Sequence, residues 1–188
     1  MVGEGDSTAA PKGAVVGPVP EGADPDTYDR LRRRVLWSMP SGLYLVGSRS
    51  GDEVNLMAAN WAMQVATDPK VVAVGIEAGA RTHELISVGG VFSVNILARE
   101  DRPAVRRFVK PAEWDPQAST LNGFPVCFAT TGAPIFAAAA AWLDCRVTRR
   151  LDFPSHTLFA GEVVDCAGDQ LESIPVLRME DTRMSYGG

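Results

Sequence analysis

Only two histidines and three cysteines occur in these 188 residues, and that scarcity removes whole classes of chemistry. His83-Glu84 begins an H-E pair, but no second histidine follows at the spacing of a zinc protease helix, and the one other histidine, His156, is far along the chain. No metal centre is expected. A G-x-G-x-x-G motif is missing, so a dinucleotide would not bind in Rossmann fashion. Gly47-Ser48-Arg49-Ser50-Gly51 puts arginine where a nucleophile elbow needs serine. With a net charge of -5 and no basic cluster longer than Arg32-Arg33-Arg34, nothing here displaces many phosphate counterions, so no nucleic acid partner is expected. Long apolar runs are absent too: the longest, Ala133 to Leu143, contains Pro134 and stops at Asp144, short of the ~18 residues of a membrane helix. Met1 to Pro25 is rich in Gly, Pro and Ala and lacks the basic start and apolar block of a signal peptide. The expectation is a flexible tail over residues 1–25, then one domain over 26–188, in a cytoplasmic protein with no membrane association. Cys127, Cys145 and Cys166, odd in number and set in apolar runs, read as reduced, buried thiols.

What is present is a core. Hydrophobic residues make up 46% of the chain and charged residues 22%, enough for one globular domain. Asp26-Thr27 is an N-cap candidate for a helix from Tyr28 to Trp37, with Leu31 and Val35 on one face, arginines on the other, and Pro40 beyond its end. Gly42 to Gly47 and Val54 to Ala66 are β-rich and flank a polar run containing Gly51, the pattern of a hairpin. Further strands are expected at 71–76, 92–97, 163–166 and 174–177, with short helices at 83–88 and 102–108. Ala137 to Ala141 favour helix by propensity, which leaves 136–147 ambiguous. Short strands without regular strand-helix alternation predict an antiparallel barrel.

Met57 to Pro69 is the most informative stretch. Asn60 and Gln64 sit within an apolar run, where a polar side chain either pairs with backbone or faces a bound molecule. Arg81-Thr82 opens the helix that follows the next strand, and a guanidinium, a hydroxyl and free helix N-H groups at one point suit an anion.

These segments carry a resemblance. Met57 to Pro69 is similar to the M-T-A-N-S-F-T-S-V-S-x-D-P strand pair of the flavin reductase-like proteins. Arg81 to Ile86 resembles their S-x-T-H-E-L-I, Gly90 to Leu97 their G-x-F-x-V-N-x-L, Trp142 to Val147 their E-C-x-V strand, and His156 to Val163 their G-D-H-x-x-x-x-G-x-V. Ala58, Trp61 and Gln64 depart from the usual Thr, Ser and Ser, and this W-x-x-Q variant looks closer to the flavoredoxin-like branch, which includes electron carriers. Pro154-Ser155-His156 keeps the imidazole of G-D-H and lacks the acid.

The resemblance implies a mainly β fold, the FMN-binding split β-barrel, antiparallel and of Greek-key type with a few short helices. It implies FMN ahead of FAD, held by Ala58, Ala59, Asn60, Trp61, Ala62, Gln64, Arg81, Thr82 and His83, with His156 as the catalytic residue that orients a nicotinamide. The expected activity is flavin reduction by NADH or NADPH in a homodimer, with reduced flavin passed to a monooxygenase or another electron-acceptor protein. The alternatives are a flavoredoxin-like carrier that retains its FMN, and a split barrel that binds haem or another flat cofactor.

Overall fold

The computed structural model describes residues 17–168 and 173–182. The first sixteen residues of the expected tail therefore lie outside the described residues. Two compact units are present, one ending at Pro40 and the other spanning Ser41–Arg183. In the first, helix α1 covers Pro25–Trp37 and starts earlier than the sequence suggests. Asp24, not Asp26 or Thr27, is the cap: its carboxylate accepts the Thr27 N-H at 2.9 Å, and Pro25 takes the first helical position, where a missing N-H costs nothing.

The second unit is built of strands. β1 (Tyr44–Ser50) and β2 (Glu53–Ala59) form the expected hairpin, and the reversal uses Gly51 at φ +58°. The apolar run from Val54 to Ala66 is not one strand. It breaks at Asn60-Trp61 and resumes as β3 (Ala62–Thr67), which pairs with β4 (Lys70–Glu77). Helix α2 (Arg81–Gly89) follows, ended by Gly90 in the left-handed region at φ +68°, then β5 (Val91–Ile96) and the short α3 (Arg102–Val105). A small sheet of β6 (Trp114–Asp115), β7 (Thr120–Leu121), β8 (Phe124–Phe128) and β9 (Pro134–Phe136) precedes the long hairpin of β10 (Ala141–Asp152) and β11 (His156–Gly168). The ambiguous alanines resolve as a turn leading into β10, and 174–177 contributes only an isolated bridge, Ala98 with Val176.

The main sheet is antiparallel throughout, in the order β2-β1-β5-β10-β11-β4-β3. Its outermost strands are consecutive in the chain and joined by two residues, Asn60 and Trp61. Laid flat, seven strands span about 29 Å, whereas the Ala59 and Ala62 Cα atoms are at most about 11 Å apart along the chain. The sheet must therefore curl until its edges meet at this corner, and because β2 and β3 do not pair, the closed form is a split β-barrel. Val46, Val74, Ile76, Phe92, Val94, Cys145 and Phe159 fill the interior. Gly47 lets the small sheet dock: a Cβ there would lie 2.1 Å from the Pro134 carbonyl oxygen. Asn95, fully buried, donates to the Leu45 carbonyl at 2.9 Å and accepts the Phe136 N-H at 2.8 Å.

The thiols differ from expectation. Cys145 is buried, and its surroundings together with Asp144 push its pKa up to about 12, but Cys127 and Cys166 are exposed on outward positions of β8 and β11. Among the described residues, no helix is long and apolar enough to cross a membrane.

Candidate functional site

The corner where the barrel's edges meet carries the candidate site. The Trp61 carbonyl accepts the Gly75 N-H at 2.9 Å, which holds the corner against β4. Gly75 has no side chain to push the indole away: a Cβ at that position would lie 3.2 Å from Trp61 Cε3. The indole is 44% exposed and meets the His156 ring at 4.7 Å between centroids, tilted by 51°. His156 opens β11 opposite Glu77 of β4. Partial burial lowers its pKa, with the Glu77 carboxylate pulling the other way, so the neutral ring is favoured. Its Nδ1 is 3.0 Å from Ser155 Oγ.

Helix α2 supplies the second half. Its N-cap, Ala80, is without a side-chain cap, which leaves the positive end of the helix unscreened by a carboxylate or hydroxyl at that position. Arg81, the first helical residue, is paired with Glu53 at 2.6 Å and Glu84 at 2.9 Å; the bonds to Glu84 and then Glu53 raise its pKa. Thr82 is oriented differently from the anion-binding expectation: it is fully buried and its hydroxyl accepts from Asn55 Nδ2 at 2.8 Å. An anion at this helix start would meet Arg81 and helix amides, while the Asn55–Thr82 pair fixes α2 to β2. Asn55 also accepts the Ala112 N-H at 2.8 Å. His83 is half-buried, with Nε2 2.9 Å from Thr157 Oγ1 and its ring 5.4 Å from that of Phe159.

The remaining predicted positions divide by side. Ala58 and Ala59 are buried at 6% and 7% exposure, and Asn60 and Ala62 are intermediate. Gln64 faces outward and donates to the Ala66 carbonyl at 3.0 Å. The structure thus brings Trp61 and His156 into contact, sets His83 against the residue next to His156, and places Arg81 at the entrance of the same helix. Sequence reasoning assigned no role to Gly75, Asn55, Asp152, Thr157 or Phe159. Asn55 was findable as another polar residue in an apolar strand, but the pairing of Thr157 with His83 joins positions 74 residues apart.

A flat aromatic wall on a glycine, a helix start with an arginine and a hydrogen-bonding corner suit a molecule with a planar ring and an anionic tail. Comparison with known proteins gives the same direction. The model of the flavin reductase like domain matches residues 36–185. An NADH-dependent FAD reductase of Streptomyces globisporus is 31% identical over 153 residues, covering 80% of this chain and 81% of that protein. The solved structure of the Streptomyces globisporus C-1027 NADH:FAD oxidoreductase with NAD and FAD fragments aligns with a TM-score of 0.70 at 25% identity, over 90% of this chain and 98% of that one. The chain spans only 21 to 24% of the length of several longer relatives, among them a diflavin flavoprotein of Synechocystis sp., 26% identical over 140 residues and 74% of this chain. The match over residues 36–185, most of the chain, places this protein in the flavin reductase-like family.

Proposed function

We propose that the protein is an NAD(P)H-dependent flavin reductase that binds FMN at the Asn60-Trp61 corner and hands reduced flavin to an oxygenase or other acceptor. The observation that carries this reading is the Trp61–His156 ring pair, with the indole seated against Gly75, because a reductase needs a wall for the flavin and a group that can present a nicotinamide to it. The residues present fit that cofactor. Asn60 has both donor and acceptor for the pyrimidine edge, Ala58, Ala59, Ala62 and Gln64 flank the corner, Arg81 with the amides of α2 holds the phosphate, and His83 follows Arg81 in the first turn of α2. A bound flavin supplies the hydride acceptor. The chain's part is positioning: His156, kept neutral by burial, orients the nicotinamide and excludes water from one face, so that the reacting atoms meet in van der Waals contact.

A homodimer suits the exposed apolar side chains on edge strand β3, Met63 and Val65, beside Trp61. The cellular site is the cytoplasm, and residues 26–188 act as one functional domain preceded by a tail. FAD, named for the Streptomyces globisporus relative, is the cofactor to set against FMN.

Two measurements test the reading. Calorimetry should show FMN binding near one per subunit at micromolar concentration; no binding of FMN or FAD would sink it. Anaerobic stopped-flow bleaching by NADH and NADPH should then show fast reduction. Flavin retained through desalting and reduced by neither nucleotide would identify a flavoredoxin-like carrier, and a haem-type absorption spectrum would identify the third alternative.

A further inference from the structure

His83, Thr157 and Asp152 form a hydrogen-bonded chain whose proton positions can be worked out. Asp152 and Thr157 face each other at the end of the β10–β11 hairpin. The Thr157 hydroxyl lies 2.7 Å from Asp152 Oδ1, and His83 Nε2 lies 2.9 Å from the same hydroxyl. Arg150 donates to that carboxylate oxygen at 2.6 Å, and this bond, followed by that from Thr157, keeps the Asp152 pKa low. An ionised carboxylate can only accept, so Thr157 must give its single proton to Asp152. The bond to His83 then runs the other way, from Nε2–H into the Thr157 oxygen. The imidazole is steadied by a second contact on the same side of β11, the buried ring of Phe159.

We propose that Asp152 and Thr157 are positioning residues that fix a proton on Nε2 of His83, so that in the uncharged ring Nδ1 offers the bound flavin a hydrogen-bond acceptor and not a donor. This rests on the reading that the start of α2 belongs to the flavin site. An acceptor nitrogen has nothing to give a phosphate dianion. It suits an N-H or O-H, and apart from the terminal hydroxyl that carries the phosphate in FMN, the flavin groups of that kind, the ring imide and the other ribityl hydroxyls, are common to FMN and riboflavin. His83 therefore serves the part of the cofactor common to both, and Arg81 the phosphate.

With two histidines in the chain, nitrogen NMR of protein carrying 15N-labelled histidine is decisive, and His156→Ala assigns the His83 signals. In mildly alkaline buffer, well above the ordinary imidazole pKa of about 6.5, the wild type should show a protonated Nε2 and a bare Nδ1 at His83. Thr157→Val, which keeps shape and removes the hydroxyl, should average the two nitrogens, and Thr157→Ser should restore the wild-type pattern. Thr157→Val should also weaken FMN and riboflavin by the same factor, about two- to tenfold for one hydrogen bond, with Thr157→Ser rescuing both. A bare Nε2 in the wild type, or an unchanged spectrum in Thr157→Val, overturns the tautomer assignment. A loss confined to FMN overturns the division of labour. No flavin binding by the wild type removes the flavin site itself and with it the role of Nδ1, whereas the apo spectrum decides the proton position independently.

Discussion

If Arg81 holds the flavin phosphate as proposed, removing it should separate binding of the phosphate from binding of the ring. In the structure its guanidinium is shared between Glu53 at 2.6 Å and Glu84 at 2.9 Å, with the two carboxylate side chains 67% and 57% exposed. Ion pairs so open to water contribute about 0.2 to 1 kcal/mol each, whereas a charged hydrogen bond to a phosphate contributes about 1.5 to 3 kcal/mol. The two pairs together hold the arginine by about 0.4 to 2 kcal/mol, so a phosphate can compete with the carboxylates for it. Arg81→Ala should weaken FMN by about 1.5 to 3 kcal/mol, roughly ten- to 150-fold, and leave riboflavin nearly unchanged. Glu53→Gln removes a competitor and should strengthen FMN by about 0.2 to 1 kcal/mol, again without effect on riboflavin. Calorimetry with both ligands at low and high salt gives these differences, and the FMN gain should shrink as salt screens the exposed charges. Equal losses for the two ligands in Arg81→Ala, or weaker FMN binding in Glu53→Gln, would refute the assignment.

Other expectations test the rest of the site. His156→Ala should raise the nicotinamide KM or slow flavin reduction by roughly tenfold, with FMN affinity within about twofold; stopped-flow reduction beside calorimetry checks both. Because burial lowers the folded-state pKa of His156, the stability this neutral ring contributes is complete above the unfolded value of about 6.5 and falls as the pH drops through the folded value. Trp61→Ala should bring the His156 NMR titration closer to the unfolded value and flatten that part of the stability-pH curve; an unmoved titration would show that the indole is not the shield. Asn55→Ala removes the partner of both the Thr82 hydroxyl and the Ala112 N-H and should cost about 2 to 4 kcal/mol in chemical denaturation.

The strands were legible wherever one local pattern decided them. β4 reads as apolar because its central residues are buried, and the β1–β2 turn reads from Gly51. The corner was not legible. Val54 to Ala66 is one apolar run, and its break at Asn60-Trp61 exists because β2 pairs with β1 while β3 pairs with β4, at opposite edges of the sheet. No local preference encodes that choice of partners. The alanines before β10 show the same competition: helix propensity amounts to a few tenths of a kcal/mol per residue, and it loses to a strand that pairs on both sides, Ala141 with Ile96 and with Gly168. The cysteines misled for a related reason, since an apolar neighbourhood in sequence does not fix which face of a strand a residue takes.

The two histidines illustrate how the site is divided. Consecutive residues of a strand point to opposite faces, so where β11 begins, His156 turns to Trp61 while Thr157, buried at 2% exposure, turns to His83. One strand thus serves both imidazoles and keeps them apart. His156 is held by ring packing, partial desolvation and a contact of Nδ1 with the Ser155 hydroxyl, a group that can donate or accept and so leaves the tautomer open to what binds beside it. His83 is held by a bond whose direction Asp152 fixes through Thr157. A ring that must adapt to an arriving and departing nicotinamide suits the first environment, and a ring that must present one constant acceptor to a cofactor suits the second. Exchanging the roles would require shifting the register of β11 by one residue, which would also turn Phe159 out of the core.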